Sequence, residues 1–342
     1  MRRLRTCRIL VFSLLCLAAS GWQGGAMARV ATPEASPVAG GGASTAVAWL
    51  LSQQAEDGSF TGFSGEADAG TTVDALFALA AAQQIGIDTS AAIDSGVNYL
   101  SSGDVALVYT QTGVGQAAKF ALLLSTLGLD PHNLANVDPL SIVGFGQDAD
   151  TGLYGSGVYD HALSMLALIS AGEPVPAEMV TALQPLQAEN GGWAWDGSTA
   201  DADVDTNTTS LVIQALAASG QPDNGMLQAG LDFLKTTLHE GAGAAYNADP
   251  ASLPDANSTA LVIQAAIASG GNPESAEWQD LVSSLLTFQN ADGSFGYQEG
   301  AMDPNLAATI QAIPALANVA LPFSPVTGEP VGIVPAAWLQ VA

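Results

Sequence analysis

This sequence predicts an all-α fold, a single (α/α)6 toroid of six helical hairpins, on three observations. Similar segments recur every 44–50 residues along the chain. Each copy pairs one helix that is apolar all round with one that is amphipathic. A Q-x-x-x-G-x-aromatic element recurs between the two. A regular period in this range means a repeat architecture, in which each unit buries its apolar face only against its neighbours.

The clearest copies are DTNTTSLVIQALAASG, 205–220, and DANSTALVIQAAIASG, 255–270. Earlier ones are DAGTTVDALFALAAAQ, 68–83, then QAAKFALLLSTLG ending at Gly128 and DHALSMLALISAG ending at Gly172. The last is DPNLAATIQAIPALAN, 303–318, which makes six. Thr209 to Ser219 is apolar around its whole circumference, as a helix enclosed on every side must be. Gly225 to Leu238 instead places Leu227, Leu231, Leu234 and Leu238 along one stripe, the pattern of a half-exposed helix. Pro176 and Pro273 stand where a first helical turn tolerates proline. Six enclosed helices alternating with six half-exposed ones form two concentric layers. An open solenoid would use the same hairpins; the closed barrel is the simpler solution.

The element between the helices reads Gln54 to Phe60, Gln187 to Trp193 and Gln289 to Phe295, with a degraded copy from Gln147 to Tyr154. Glycine takes the left-handed conformation that ends a helix, Asp or Asn before it suits the turn, and the aromatic packs back on the hairpin. The element therefore reads as a staple rather than as chemistry.

The chain has 342 residues, 48% of them apolar and 12% charged, which excludes a disordered protein. Arg2, Arg3, Arg5 and Arg8, the apolar run Ile9 to Ala19, and Ala26-Met27-Ala28 read as a signal peptide over 1–28. Residues 29–43 read as a flexible linker, 44–320 as the toroid and 321–342 as a tail. A secreted or surface location follows. Removing 1–28 leaves Arg29, Lys119 and Lys235 against 33 acids, a formal charge of −30. Such a polyanion repels nucleic acid and anionic membranes. Cys7 and Cys16 both leave with the signal, and with them disulfide, thiolate and cysteine-metal chemistry. No later run is long enough to span a membrane.

The Q-x-x-x-G-x-W element resembles the QW repeat of squalene–hopene and other class II terpene cyclases. The hairpin period is similar to the toroid they share with protein prenyltransferase β-subunits, complement thioester domains, and the cobalamin carriers intrinsic factor and transcobalamin. The resemblance covers roughly 44–320. Prenyltransferase zinc and the thioester crosslink both need a cysteine that the mature chain lacks. The Asp-x-Asp-Asp acid motif of the cyclases meets Asp203-Val204-Asp205-Thr206 here, with threonine at its last position. Carriers of cobalamin are secreted single toroids without catalysis. The resemblance to them implies a binding module for a small molecule or a protein partner, with cobalamin as one candidate ligand and no cofactor fixed. A terpene-cyclase-like or glycan-active enzyme using Asp203 and Asp205 is the alternative.

Parallel inner helices bring their N-termini to one rim, and the residues there form the expected site: Asp68, Asp160, His161, Asp201, Asp203, Asp205, Asn207, Asp255 and Asp303, with Glu66 beside them. Each acid also suits a helix cap, worth about 1 kcal/mol. Asp201, Asp203, Asp205 and Asn207 alternate like the oxygen ligands of a calcium loop. Thr206 and Val212 stand at its glycine and glutamate positions, so an EF-hand is excluded and only calcium shared with other rim loops remains. Gln214 and Gln264 interrupt apolar helices at equivalent positions, and Gln311 falls within one residue of the same place. They either bond between helices or line the barrel mouth to bind a polar ligand.

Overall fold

The computed structural model describes residues 42–221 and 225–324, all within the compact unit that begins at Val38. Residues 1–41, where a signal segment and linker are expected, and those beyond Ser324 lie outside the described residues. The first helices are α1 (Ala43–Leu51), α2 (Ala69–Gln84), α3 (Ser90–Leu100), α4 (Val105–Thr110) and α5 (Val114–Thr126). Then come α6 (Pro139–Gly144), α7 (Val158–Ser170), α8 (Ala177–Leu183) and α9 (Thr206–Ser219). The last four are α10 (Met226–Thr236), α11 (Ala256–Ala268), α12 (Leu281–Leu286) and α13 (Leu306–Leu316). Among the described residues, strands form two short hairpins, β1 (Phe60–Thr61) with β2 (Ala67–Asp68) and β3 (Leu238–His239) with β4 (Gly243–Ala244), alongside isolated bridges.

The repeated apolar segments form the inner ring. Helix α2 packs on α5, α5 on α7, α7 on α9, α9 on α11, α11 on α13, and α13 returns to α2. The barrel is closed. Around it lie α1, α3 with α4, α6, α8, α10 and α12, packed on the inner ring, α8 against α7 and α1 covering the α13–α2 seam. The two layers differ in burial as their sequences require. In α9 every residue from Thr206 to Leu216 is buried, whereas α10 buries Met226, Gly230, Leu231, Phe233 and Leu234 on one face.

The Q-x-x-x-G-x-aromatic element is the joint between hairpins. Gln54 Nε2 donates to the Gly58 carbonyl at 3.0 Å and to the Ala92 carbonyl, in the first turn of α3, at 2.9 Å. Gln187 does the same with Gly191 and with Met226 of α10, at 2.7 and 2.9 Å. Gly58, Gly191 and Gly293 all have φ near +90°. A Cβ at any of them would overlap a backbone carbonyl of the next outer helix, at Ser95, Ala229 and Thr45 respectively. Glycine is required there twice over, by conformation and by contact.

The aromatic that follows is tied to the inner helix. The amides of Phe60, Trp193 and Phe295 each donate at 2.9 Å to a threonine hydroxyl, on Thr72, Thr209 and Thr309. Ala244 uses Thr259 in the same way at 2.9 Å, a joint with neither glutamine nor aromatic to mark it. The degraded copy is a joint as well: Gln147 bridges Tyr154, whose amide donates to His161 Nδ1 at 3.0 Å. The described start of the tail crosses the far end of the barrel, where Leu321 and Phe323 pack on the core and the Leu321 amide donates to Gln214 at 2.9 Å.

Candidate active site

The inner helices begin at equivalent positions: Asp68, Gly113, Gly157, Asp205, Asp255 and Asn305. Asp68, Asp205, Asp255 and Asn305 accept the amide of the third residue onward, which fixes the register of the ring. The second and sixth residues after each cap share one side of the helix. There the otherwise sealed inner helices keep some accessibility, at Asp74, Lys119, Tyr159, Asn257, Leu261 and Gln311. Neighbouring helices and the outer layer enclose the remaining sides, so this side faces the centre of the ring.

A charged cluster occupies it. Lys119 Nζ of α5 lies 2.8 Å from Asp74 Oδ1 of α2, and the two side chains keep 24% and 43% of their surface accessible. Burial opposes the Lys119 charge, but Asp74 and the nearby phenols of Tyr109 and Tyr159 outweigh it and hold the ammonium above the ordinary lysine range. Desolvation pushes both phenols upward, with Lys119 acting in the opposite sense. Tyr159 is the hub: Lys119, Asp74, Asp205 and Asp160 all act on it. The opposite wall is neutral and polar. Asn257 Nδ2 donates to Gln311 Oε1 at 2.8 Å, and Ser258 Oγ donates to Asn207 Oδ1 at 3.3 Å.

Two caps are unlike ordinary surface caps. Asp205 and Asp255 are each 2% exposed, and burial raises both carboxyls to a pKa of about 6 against the pull of their amide hydrogen bonds. Asp255 uses both oxygens, accepting Ser258 N at 2.8 Å and Ser258 Oγ at 2.7 Å. Asp205 accepts Thr208 N at 2.7 Å, while its Oδ2 is buried and makes no hydrogen bond. A buried acid with an unengaged oxygen beside a charged cluster is equipped to hold and deliver a proton near pH 6.

The expected rim residues separate into groups. Asp68, Asp205 and Asp255 are true caps. Asp160 accepts Ser156 N and Oγ at 2.9 and 2.7 Å, and it lies against Gly115, where a Cβ would displace it. Asp201 and Asp203 are exposed, and bond Asn190 N at 3.2 Å and Ser198 Oγ at 2.6 Å. They do not gather with Asp205, and among the described residues no group of three His, Cys, Asp or Glu could hold a metal ion. Asp303 is exposed and does not cap α13; Asn305 does. That shift moves Gln311 to the sixth residue after its cap, level with Asp74 and Lys119, whereas Gln214 and Gln264 are the ninth. Only Gln311 lies near the mouth. Gln214 reaches the tail, and Gln264, 5% exposed, turns back to the Ala260 carbonyl.

His161 lies in the wall. It is fully buried, with Nδ1 accepting from Tyr154 N and Nε2 donating to the Met179 carbonyl of α8 at 2.8 Å. It stands where four other copies have threonine. Asp74, Lys119 and Tyr109 lie outside the expected rim set, which was confined to helix starts. The signal was present: a single acid and a single base interrupt two apolar inner helices 45 residues apart, the spacing of their repeats.

No protein-family model and no curated protein sequence matches the chain. Solved structures do. The type II terpene cyclase MstE from Scytonema matches with a TM-score of 0.56 and 13% identity, over 80% of this chain and 96% of that one. A structure described as "Glycosidase E178A" matches with a TM-score of 0.56 and 13% identity, over 81% and 96%. A possible member of the GH105 family from Salmonella enterica matches with a TM-score of 0.54 and 13% identity, over 80% and 91%. The expectation of a non-catalytic module like the cobalamin carriers is corrected by these matches. Toroids similar to it are described as a terpene cyclase and a glycosidase, the cyclase also solved as a variant in complex with geranylgeranyl dihydroxybenzoate as substrate. Ring closure, six hairpins and these likenesses together make the chain an all-α toroid of the architecture shared by terpene cyclases and glycosidases.

Proposed function

We propose that this protein is a glycan-active enzyme that works at the mouth of the toroid, with Asp205 as its proton donor. The observation that carries the reading is the Asp205 carboxyl: buried, protonated up to about pH 6, with a free Oδ2. It also occupies the place of the middle acid in the cyclase motif, so the acid alone does not choose between polyene and glycan. The lining does. Cyclisation of a polyene needs an apolar cage with aromatic faces for its cations, and this mouth presents an ion pair, two phenols and three amides. Those groups match hydroxyl-rich substrates, which satisfy polar walls that a hydrocarbon would leave unpaired. In glycoside hydrolysis the Asp205 proton passes to the leaving oxygen, and a carboxylate across the ring activates the water that adds to the sugar. Asp74, held by Lys119, is the carboxylate in place.

Incubating the protein with a panel of polysaccharides and measuring new reducing ends tests this. The wild type should release them from at least one glycan, and Asp205→Asn should lose 100-fold or more in rate. Equal activity of the variant would remove Asp205 from the chemistry. Inertness toward every glycan, with turnover of a polyprenyl substrate, would replace the reading.

A further inference from the structure

The loops that enter α9, α11 and α13 carry aromatics at matching places. Trp195 and Tyr297 stand two residues beyond the buried Trp193 and Phe295 of the joints, and Tyr246 stands two beyond Ala244 in a joint that lacks its aromatic. Trp195 is 40% exposed and Tyr297 38%, while Tyr246 is half-buried. Their backbones are pinned by one repeated stitch. The Tyr246 carbonyl accepts Thr206 N and the Tyr297 carbonyl accepts Ala256 N, both at 2.8 Å, and the Trp195 carbonyl accepts Tyr159 N at 3.4 Å. The backbone of each aromatic residue is thereby fixed at the start of the preceding inner helix, at α7, α9 and α11 in turn. Trp195 is tied to the residue at the hub of the charged cluster.

We infer that Trp195, Tyr246 and Tyr297 form a stacking track that feeds a neutral polysaccharide chain into the mouth. The inference rests on the glycan-active reading and names its substrate class. The three residues stand at the starts of consecutive inner helices, and packed helices lie about 8–10 Å apart, so together they suit an extended chain rather than one small ligand. Aromatic residues that are partly exposed yet held by their backbones offer flat apolar faces at low entropic cost. Charge selects the class. The described residues of these three loops include Asp196, Asp201, Asp203, Glu240, Asp249, Glu299 and Asp303 but no Lys or Arg, so an anionic polymer is repelled. Lys119, the inner-ring base, is already engaged by Asp74.

Affinity electrophoresis in gels containing hydroxyethyl cellulose, galactomannan, xylan, laminarin or polygalacturonate tests the inference on the full chain. At least one neutral polymer should retard the wild type, and polygalacturonate should not. The Trp195→Ala/Tyr246→Ala/Tyr297→Ala variant should bind at least tenfold more weakly, while Trp195→Phe with Tyr297→Phe, which keep the flat faces, should stay within about threefold. Asp205→Asn should be retarded like the wild type, which separates binding from catalysis. Retardation by a neutral polymer without hydrolysis would leave the track standing and remove the enzyme reading. Hydrolysis unaffected by the folded triple variant would do the reverse. Preferential retardation by polygalacturonate would overturn the inference. So would aromatic-dependent sedimentation with phosphatidylcholine vesicles when no polysaccharide binds.

Discussion

Gln289 and Gly42 close the ring across 247 residues. The Gly42 amide donates to Gln289 Oε1 at 2.7 Å, and Gln289 Nε2 donates back to the Gly42 carbonyl at 3.0 Å. The same side chain reaches Thr45 Oγ1 at 3.1 Å, in the first turn of α1. Gln54 and Gln187 join hairpins that are already consecutive in the chain. Gln289 uses the same geometry to join the last hairpin to the first.

Gln289→Ala should therefore cost about 2–3 kcal/mol, from several partly buried hydrogen bonds at about 1 kcal/mol each. Its signature should differ from that of Gln187→Ala. Hydrogen exchange should rise selectively in α1 and along the α13–α2 seam, because α1 is held only at the closure. Uniform exchange changes in both variants would mean that closure does not depend on this joint.

The glycine of each joint should be far less replaceable than a glycine that merely ends a helix. Gly191→Ala meets both positive φ and the Ala229 carbonyl, and should cost 3 kcal/mol or more, or prevent folding. Gly220, at φ +63° with open space around it, should accept alanine for about 1 kcal/mol. Urea denaturation of the two variants checks the difference.

The ion pair inside the ring should matter more for function than for stability. Lys119→Met leaves Asp74 facing the lumen without its cation and should cost about 1–2 kcal/mol, below the loss expected at a fully buried pair because both groups keep solvent contact. Adding Asp74→Leu should restore most of that stability and none of the activity. A double variant as active as the wild type would remove the pair from the site.

Stability should rise as pH falls from neutrality toward about 4. Asp205 and Asp255 have folded pKa values of about 6 against 3.8 in the unfolded chain, so the native state binds the extra protons between those values. Their contribution is complete below the unfolded value and is lost as pH rises through about 6, on the order of 3 kcal/mol for each carboxyl. Asp57, Asp88, Asp148 and Asp292 work the other way: hydrogen bonds from nearby serines and Thr151 lower them, so their contribution disappears in stronger acid. His161 also opposes the trend, since burial lowers its pKa and protonation in the unfolded chain destabilises the native state below about pH 6.5. His161→Thr, with the residue used at Thr72, Thr209, Thr259 and Thr309, should cost about 1–2 kcal/mol for the lost Met179 bond and packing. It should also steepen the gain toward pH 4. Urea midpoints from pH 3 to 8 for this variant, Asp205→Asn and Asp255→Asn separate the contributions; unchanged slopes in all three would show that these groups do not govern the profile.

Much of this protein is determined by its sequence alone. The period, the contrast between all-apolar and one-sided helices, and the Q-x-x-x-G-x-aromatic joint are local patterns, and local geometry is what 3.6-residue periodicity and a left-handed glycine encode. The caps Asp68, Asp205 and Asp255 were legible for the same reason. The last copy shows where that reading slips: aligned on Asp303 it misplaces Gln311, whereas Asn305 with Thr309 repeats the cap-x-x-x-Thr spacing of Asp205 with Thr209.

Only the tertiary structure decided the rest. Closure depends on α13 meeting α2 and on Gln289 finding Gly42, a contact between chain ends that no local pattern contains. His161 became a strut because α8 brings the Met179 carbonyl to its ring. Asp205 and Asp203 look alike two residues apart, yet one is sealed by its neighbours and raised to about 6 while the other stays exposed on the loop. Burial in a closed ring is a property of all six hairpins together, and burial is what turns a helix cap into an acid.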